Sequence, residues 1–313
     1  MKHIILGAGG AIGTVLTNEL IAKNERVKLV SRSEHKMLSA ECAKADLTKY
    51  DEVKNMIEEN SIVYLTAGLK YDLKVWQANW MNIMHNVVEA CKAEKAKLIF
   101  FDNIYALGKV TGKMTEESPL NPCSKKGEVR AKLIEYLQSE IKSKNLDIII
   151  ARSADFYGPY APASSIPNIL IIDRMLKSKK PQWFVNANTK HSFTYTEDCG
   201  KALYILAKDE KSFNQIWHLP TASPAITARQ FIEIAAEILD APAKFMVMSK
   251  WMIKLGGLYD STIKELYEML YQNEFDYDFD STKFEKYFSF KPISYETGIE
   301  RTINFYKQLS NNK

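Results

Sequence analysis

Apolar runs alternate with longer segments of helical period through the first half of the chain. The runs are continuous rather than alternating with polar positions, and turn residues bound them. Such runs predict strands buried on both faces, and the segments between them predict the covering helices. The predicted strands are 3–7, 26–32, 61–68, 97–103 and 146–155, and the predicted helices are 11–24, 51–60, 75–95 and 127–145. The pattern therefore predicts an α/β fold with a doubly wound parallel sheet.

The regular alternation of apolar runs with segments of helical period ends after residue 155. Residues 156–168 are rich in Pro, Gly and Ser, which predicts a loop long enough to suggest function. Further on, Thr227 precedes a segment of helical period and is the predicted N-cap of its helix. The predicted elements are a helix over 166–180, a strand pair and helix over 183–209, a strand over 216–221, a helix over 227–240, and short helices with aromatic turns over 241–313.

A glycine-rich turn, GAGGAIG, lies between the first predicted strand and the first predicted helix. Gly7 allows a tight turn, Gly10 lets the backbone approach a pyrophosphate, and Gly13 lets the helix pack close to the strand. Ala11 and Ile12 complete the helix N-terminus, whose free N–H groups and positive dipole end favour phosphate. The placement predicts a dinucleotide site; the alternative is a tight turn without a ligand.

The end of the second predicted strand bears on which dinucleotide binds. It reads Ser31-Arg32-Ser33, with no carboxylate before Glu34 to bind the 2′-hydroxyl of NAD. Arg32 and the hydroxyls beside it suit a 2′-phosphate. We predict NADP(H) in preference to NAD(H); the alternative is a solvated Arg32 with NAD bound through other contacts.

These features predict two regions. Residues 1–155 form a dinucleotide-binding Rossmann core, to which 183–240 contribute further sheet and helix elements. Residues 156–182 and 241–313 form a smaller substrate-binding or lid region.

Several segments, in this order, resemble the short-chain dehydrogenase/reductase superfamily in its extended and atypical branches, which contain the NAD-dependent epimerases and dehydratases. They are GAGGAIG (7–13), AKADLTK (43–49), LTAG (65–68), LIFFDNIYALG (98–108), RSADFYGP (152–159) and HSFTYTEDCGKAL (191–203). The resemblance implies that Asp46 and Leu47 flank the adenine, and that Ala67 and Gly68 pass the ribose. It also implies that Asp155 lies beside the nicotinamide, where its carboxylate orients a donor or caps a helix.

The chain departs from this family at its catalytic pair. The family has a Tyr that transfers the substrate proton and, four residues later, a Lys that holds the nicotinamide ribose. Lys126 and Arg130 stand there instead. Arg130 can hold ribose hydroxyls but cannot act as a base. Asn103, near the family's Ser position, can donate a hydrogen bond to a carbonyl.

Three other groups are candidates for the proton transfer: Tyr105, Tyr157, which would also contact substrate, and Lys126 as a neutral amine. The alternative is that Tyr105 and Tyr157 pack under the loop with their hydroxyls bonded to the backbone. His191 takes the place of an Arg that clamps the diphosphate of sugar nucleotides in the resembling epimerases. This substitution weakens the case for a nucleotide-sugar substrate.

Composition limits the class of protein. A net charge of +4, from 42 basic and 38 acidic residues, describes a mixed surface and argues against nucleic-acid binding. The four cysteines have no metal-ligand spacing, which predicts free thiols and no metal site. No apolar run is long enough to cross a membrane. We expect a cytoplasmic protein with a small-molecule substrate and, from the apolar faces of helices 75–95 and 127–145, a possible homodimer.

Two functional hypotheses follow. The first is a NAD(P)-dependent oxidoreductase or epimerase/dehydratase-like enzyme that acts by hydride transfer on a carbonyl, alcohol or sugar-type substrate. The second is a non-catalytic NADP(H)-binding sensor or regulatory protein.

Overall fold

The computed structural model describes residues 1–33 and 40–311. The strands are β1 (Lys2–Leu6), β2 (Arg26–Ser31), β3 (Glu41–Lys44), β4 (Ile62–Leu65), β5 (Lys97–Asp102), β6 (Lys113–Met114), β7 (Ile148–Arg152), β8 (Asp155–Tyr157), β9 (Gln182–Phe184), β10 (Lys190–His191), β11 (Phe193–Tyr195), β12 (Gln215–His218), β13 (Ile226–Thr227), β14 (Met246–Met248) and β15 (Asp278–Phe279). The α-helices are α1 (Ala11–Ala22), α2 (Tyr50–Lys54), α3 (Leu73–Ala93), α4 (Lys125–Ser143), α5 (Asp173–Leu176), α6 (Thr196–Lys208), α7 (Ala228–Leu239), α8 (Lys250–Gly256), α9 (Ser261–Leu266), α10 (Thr282–Phe288) and α11 (Tyr295–Asn311).

The chain divides into two compact units. The first comprises Met1–Ala106, Leu120–Arg152 and Cys199–Trp217, and the second comprises Leu107–Pro119, Ser153–Asp198 and His218–Lys313. Of the predicted contribution of 183–240 to the Rossmann core, only Cys199–Trp217 falls in the first unit.

A seven-stranded sheet in the order β12-β7-β5-β4-β1-β2-β3 organises the first unit. The pairs β1–β2, β1–β4, β2–β3, β4–β5 and β5–β7 are all parallel. Every residue of β4 and β7 is buried, as the continuous apolar runs predicted. The predicted doubly wound parallel sheet is confirmed.

Several element boundaries differ from the sequence prediction, and two of these differences concern the elements around the central sheet. The helix expected over 51–60 is regular only over Tyr50–Lys54. The strand expected over 146–155 is two elements, since β7 ends at Arg152 and β8, which begins at Asp155, pairs with β11 in the second unit.

The apolar faces of α3 and α4 are used inside the first unit. Eight residues of α3 are buried, and Val129, Leu133, Ile134 and Leu137 of α4 join the same core cluster as the sheet. Outward positions such as Gln77, His85 and Lys132 are exposed and polar. The apolar faces that suggested a dimer are therefore explained by the core, and a homodimer stays a prediction.

Small sheets and an aromatic core build the second unit. The two-stranded pairs are β8–β11, β9–β14, β6–β15 and β10–β13. The core includes Tyr157, Trp183, Phe193 and Phe231, and α11 contributes Ile299.

The predicted cap of α7 is confirmed. The Thr227 hydroxyl accepts the Gln230 N–H at 3.1 Å, and the Gln230 side chain accepts the Thr227 N–H at 2.8 Å, which completes a capping box. In the described ranges, no helix combines the length and apolar character needed to cross a membrane.

We expect the buried His3 to make the protein less stable in acid. Its Nδ1 lies 2.8 Å from the Tyr64 hydroxyl, its side chain is fully buried, and that burial lowers its pKa to about 4. Since the unfolded chain binds this proton near the ordinary pKa of 6.5, stability is full above that value and falls as the pH drops towards 4. The expected loss between pH 7 and pH 5 is about 2 kcal/mol in the free energy of unfolding.

Urea unfolding of wild type, His3→Gln and the exposed-histidine control His85→Gln measures this effect. His3→Gln should reduce the loss in the free energy of unfolding between pH 7 and pH 5, and His85→Gln should leave that loss unchanged. An equal slope in wild type and His3→Gln would contradict the assignment.

Candidate cofactor and catalytic site

The glycine turn between β1 and α1 lies directly against the end of β4. Gly7 has a φ of +104°, and a Cβ there would fall well inside 3.0 Å of backbone atoms of Ala67. The Gly7 N–H donates to the Val30 carbonyl at 2.9 Å. A Cβ at Gly13 would lie 2.8 Å from the Gly7 carbonyl oxygen. The two glycines thus permit a close approach of turn, helix and strand that other residues would block.

Gly10 leaves the N-terminus of α1 open. It is the exposed N-cap residue, makes no side-chain capping bond, and has no acidic residue in the helical turn after it. A Cβ at Gly10 would meet nothing closer than 3.6 Å. The amides of Ala11, Ile12 and Gly13 follow at the positive end of the helix dipole. This backbone cradle fits the pyrophosphate of a dinucleotide.

The predicted adenine segment is held by its own side chains and by α3. The amide and hydroxyl of Thr48 donate to Asp46 Oδ1 at 3.0 and 2.8 Å, and these bonds lower the pKa of Asp46, with a smaller effect of the Arg32 charge. Asn86 Nδ2 donates to the Leu47 carbonyl at 3.0 Å. Asp46 and Leu47 are half-buried, and Arg32 at the end of β2 is exposed. Glu34 lies outside the described residues.

Asn103 and Tyr105 belong to one tight turn after β5. Asn103 Oδ1 accepts the Tyr105 N–H at 3.0 Å, which begins a 3₁₀ turn. The half-buried Tyr105 ring stacks on Trp76 with centroids 6.3 Å apart. The side-chain oxygen of Asn103 is thereby used locally.

Lys126 lies in the first turn of α4. Ser124 caps this helix by accepting the Gly127 N–H at 3.1 Å. A Cβ at Gly127 would lie 2.6 Å from the Tyr105 carbonyl oxygen, so α4 begins in close contact with the 3₁₀ turn. The Lys126 side chain is fully buried, and its Nζ lies 4.7 Å from the centre of the Tyr71 ring.

Arg130 is directed into the core of the first unit. Its Nη2 lies 2.8 Å from Asp102 Oδ1, and both side chains are buried. Its guanidinium carbon lies 4.7 Å from the Trp80 ring centre, 5.1 Å from that of Phe100 and 5.6 Å from that of Trp76. Burial raises the pKa of Asp102, and the Arg130 charge opposes that rise. The guanidinium that the resemblance places on the ribose is thus engaged with a buried carboxylate and three rings.

Sequence reasoning missed Tyr71, Trp76 and Asp102. Trp76 links these residues to the site. Its ring contacts that of Tyr71 edge-on, with 5.8 Å between centroids, and it also contacts Tyr105 and Arg130. In the sequence, Trp76 fits the apolar face of a predicted helix, and this pattern indicates only a buried packing position. Asp102 was detectable, because a carboxylate that ends a run as apolar as KLIFF needs a partner.

In the second unit, His191 and Asp155 form a pair. His191 Nε2 lies 3.0 Å from Asp155 Oδ2. The His191 ring is 2% exposed and stacks on Tyr277 at 4.3 Å and on Phe193 at 4.7 Å. The Asp155 side chain keeps 27% of its surface exposed. Asp155 therefore orients His191, while the ring itself is packed among aromatics.

Tyr157 lies in the aromatic core of the second unit. It is 1% exposed, and burial raises the pKa of its phenol well above the ordinary value. Its hydroxyl has no hydrogen-bond partner among the described residues, and a Cβ at Gly298 of α11 would fall well inside 3.0 Å of it. This position gives Tyr157 a packing role against α11.

We expect Gly298→Ala to destabilise the protein by about 1–3 kcal/mol through overpacking against the Tyr157 hydroxyl. Tyr157→Phe removes the obstructing oxygen, so the double variant Tyr157→Phe/Gly298→Ala should regain most of the loss. Tyr157→Phe alone should change little, because it removes a buried hydroxyl that lacks a partner. Thermal and urea unfolding of the four proteins measure the coupling, and strictly additive effects would contradict the contact.

The fold and the glycine cradle define a dinucleotide-binding protein of the Rossmann type. The family model described as "NAD dependent epimerase/dehydratase family" matches residues 3–218. The chain belongs to this family. The resemblance read from the sequence is confirmed, and so, at the level of the family, are the enzyme class and a NAD-type cofactor.

Solved structures of such enzymes share the fold over nearly the whole chain. They include UDP-glucuronic acid 4-epimerase from Bacillus cereus in complex with NAD, with 18% identity, a TM-score of 0.78, and 99% of each chain covered. dTDP-glucose 4,6-dehydratase from Bacillus anthracis in complex with NAD has 15% identity, a TM-score of 0.80, and 99% of this chain and 98% of that chain covered. UDP-glucose 4-epimerase from Thermotoga maritima with UDP-glucose has 18% identity, a TM-score of 0.81, and 99% and 100% covered. Among curated proteins, no sequence matches this chain significantly.

Proposed function

We propose that the chain is a nicotinamide-dependent oxidoreductase of the epimerase/dehydratase type that acts on a carbonyl, alcohol or sugar-type substrate. The observation that carries the proposal is the glycine cradle under the open N-terminus of α1. The match of the family model to residues 3–218 supports it.

In this proposal the backbone around Gly10, Ala11 and Ile12 holds the pyrophosphate. Asp46 and Leu47 lie beside the adenine, and Ala67 and Gly68 lie beside the ribose. When bound, the cofactor supplies or accepts a hydride at C4 of its nicotinamide. The protein has to orient the substrate carbon towards it and to move a proton to or from the substrate oxygen.

Arg130 does not move that proton, because a guanidinium stays charged at any ordinary pH. Its contacts with Asp102 and Trp80 support a positioning role, in which it fixes α4 and thereby Lys126. Lys126 supplies positive charge near the substrate oxygen.

We propose that the substrate is a sugar that the protein recognises through its hydroxyl or carbonyl groups. Recognition through a clamped diphosphate suits the site less well. His191 is a single ring packed between Tyr277 and Phe193 and bonded to Asp155. It lacks the forked donor geometry with which a guanidinium grips two phosphate oxygens. The exposed part of Asp155 supports a contact with substrate hydroxyls.

The competing proposal is a binder that keeps the cofactor site without turnover. The enclosure of Arg130 by Asp102 and aromatic rings favours it, because a guanidinium so engaged is withdrawn from ligand contact.

Two measurements separate these proposals. Native mass spectrometry of the purified protein identifies any cofactor and substrate that it retains. A screen of alcohols, ketones and sugar nucleotides then follows nicotinamide absorbance together with product analysis, since an epimerisation leaves no net absorbance change. Turnover of any compound supports the enzyme, and bound cofactor without turnover across the screen supports the binder.

For the cofactor we propose a preference for NADP(H), supported by the exposed Arg32 between Ser31 and Ser33 at the end of β2. We expect NADPH to bind more tightly than NADH, and Arg32→Ala to weaken NADPH by about 10- to 100-fold while leaving NADH within about twofold. Fluorescence titration measures both affinities. A wild-type preference for NADH would overturn the proposal.

Gly10→Asp serves as a second variant in the same titration. The backbone has room for its Cβ, but the carboxylate meets the pyrophosphate, so both cofactors should lose binding.

A further inference from the structure

The loop between β4 and α3 places a phenol beside the buried ammonium of Lys126. Tyr71 follows the carboxyl end of β4, and in a parallel sheet that edge is where ligands bind. The Lys126 Nζ lies 4.7 Å from the centre of the Tyr71 ring. Tyr71 is half-buried, so part of its surface remains accessible.

The backbone around Tyr71 is fixed on both sides. Trp76 Nε1 donates to the Lys70 carbonyl at 3.0 Å, and Asp72 caps α3 by accepting the Lys74 N–H at 2.9 Å. Trp76 also packs edge-on against the Tyr71 ring, with 5.8 Å between centroids and an angle of 84°. A ring held in this way is preorganised rather than mobile.

The ammonium changes what this phenol can do. A positive charge within a few ångströms favours the ionised form of an acid, and it acts more strongly where water is excluded. Lys126 is fully buried. Its Nζ lies over the face of the Tyr71 ring, and that ring shares the negative charge that loss of the phenol proton would leave.

We propose that Tyr71 is the catalytic proton-transfer residue of this enzyme and that Lys126 is its cationic partner. This inference rests on the proposed function. In the oxidation direction the Tyr71 phenolate takes the proton as the substrate O–H bond breaks. The electron pair of the adjacent C–H bond leaves as hydride to the oxidised nicotinamide, and the carbon–oxygen double bond forms. In reduction, Tyr71 returns the proton to the substrate oxygen.

Tyr105 is the matched control for this assignment. It contacts the same Trp76 ring but stacks on it, and it follows β5 rather than β4. Lys125 is the matched control for Lys126, because it is the preceding residue of the same helix and its side chain is exposed and paired with Glu128 at 2.8 Å.

The first test needs neither substrate nor cofactor. Ultraviolet difference titration follows tyrosinate formation in wild type, Tyr71→Phe and Tyr105→Phe. We expect the tyrosine lost in Tyr71→Phe to ionise at lower pH than the one lost in Tyr105→Phe. Lys126→Met should move that ionisation to higher pH, and Lys125→Met should not. The proposed pair is refuted if Tyr71 does not ionise at a lower pH than Tyr105. It is also refuted if Lys126→Met leaves the ionisation of Tyr71 unchanged.

The second test is turnover of a substrate found in the screen. Tyr71→Phe should lower kcat by about 10²- to 10⁴-fold with cofactor affinity unchanged. Turnover retained in Tyr71→Phe would overturn the assignment. A wild-type protein without turnover would contradict the proposed function, and the titration alone then decides whether Lys126 activates Tyr71.

Discussion

Arg130→Met should lower the free energy of unfolding by about 3–5 kcal/mol, because it leaves the buried Asp102 carboxylate without its guanidinium partner. The ion pair is 2.8 Å long, and Asp102 has no exposed surface. Removing one member of such a pair costs far more than the pair contributes in net terms, since the remaining charge cannot reach water.

The double variant Arg130→Met/Asp102→Asn is the control. It removes the ion pair, so we expect part of the lost stability to return; the return is incomplete because the Asp102 charge also interacts with the buried Arg152. Urea unfolding of wild type, the two single variants and the double variant gives the coupling energy. A variant Arg130→Met that keeps its stability but loses cofactor affinity would instead show that the guanidinium serves the ribose.

Gly7→Ala should destabilise the first unit by about 2–5 kcal/mol and abolish cofactor binding. Two costs add: a side chain at a φ of +104° is strained, and its Cβ would overlap the backbone of Ala67. Neither can relax locally, because the obstructing atoms belong to the chain at the end of β4.

The comparison protein for the stability part of this prediction is Gly68→Ala. It adds the same methyl group in open space, so its stability should stay within about 0.5 kcal/mol of wild type. Thermal unfolding measures the stability of both variants, and cofactor titration measures binding by Gly7→Ala. A stable Gly7→Ala protein that still bound cofactor would contradict the geometry of the turn.

The central sheet was predictable because its inner strands are buried on both faces and leave continuous apolar runs. Strand β3 escaped detection for the opposite reason, since Glu41, Cys42 and Lys44 are exposed and leave no apolar signal. The cap at Thr227 was predictable because a capping interaction is local.

The candidate site was predictable only in part. The glycine cradle is encoded in one short segment and was therefore visible. The partners of Arg130 and Lys126 come from distant segments, and helical spacing shows which residues share a face without showing what that face meets. For that reason the contacts of Asp102 and Tyr71 emerged only from the structure, although the position of Asp102 after the apolar run KLIFF indicates that it needs a partner.

The outermost strand of the sheet has a consequence for self-assembly. β3 is four residues long, and Glu41 forms ion pairs with Lys2 and Lys28 at 2.5 and 3.3 Å. A short, charged edge is a poor template for a foreign strand, because pairing would desolvate those charges. Fibrous polymerisation by extension of the sheet at this edge is thereby opposed.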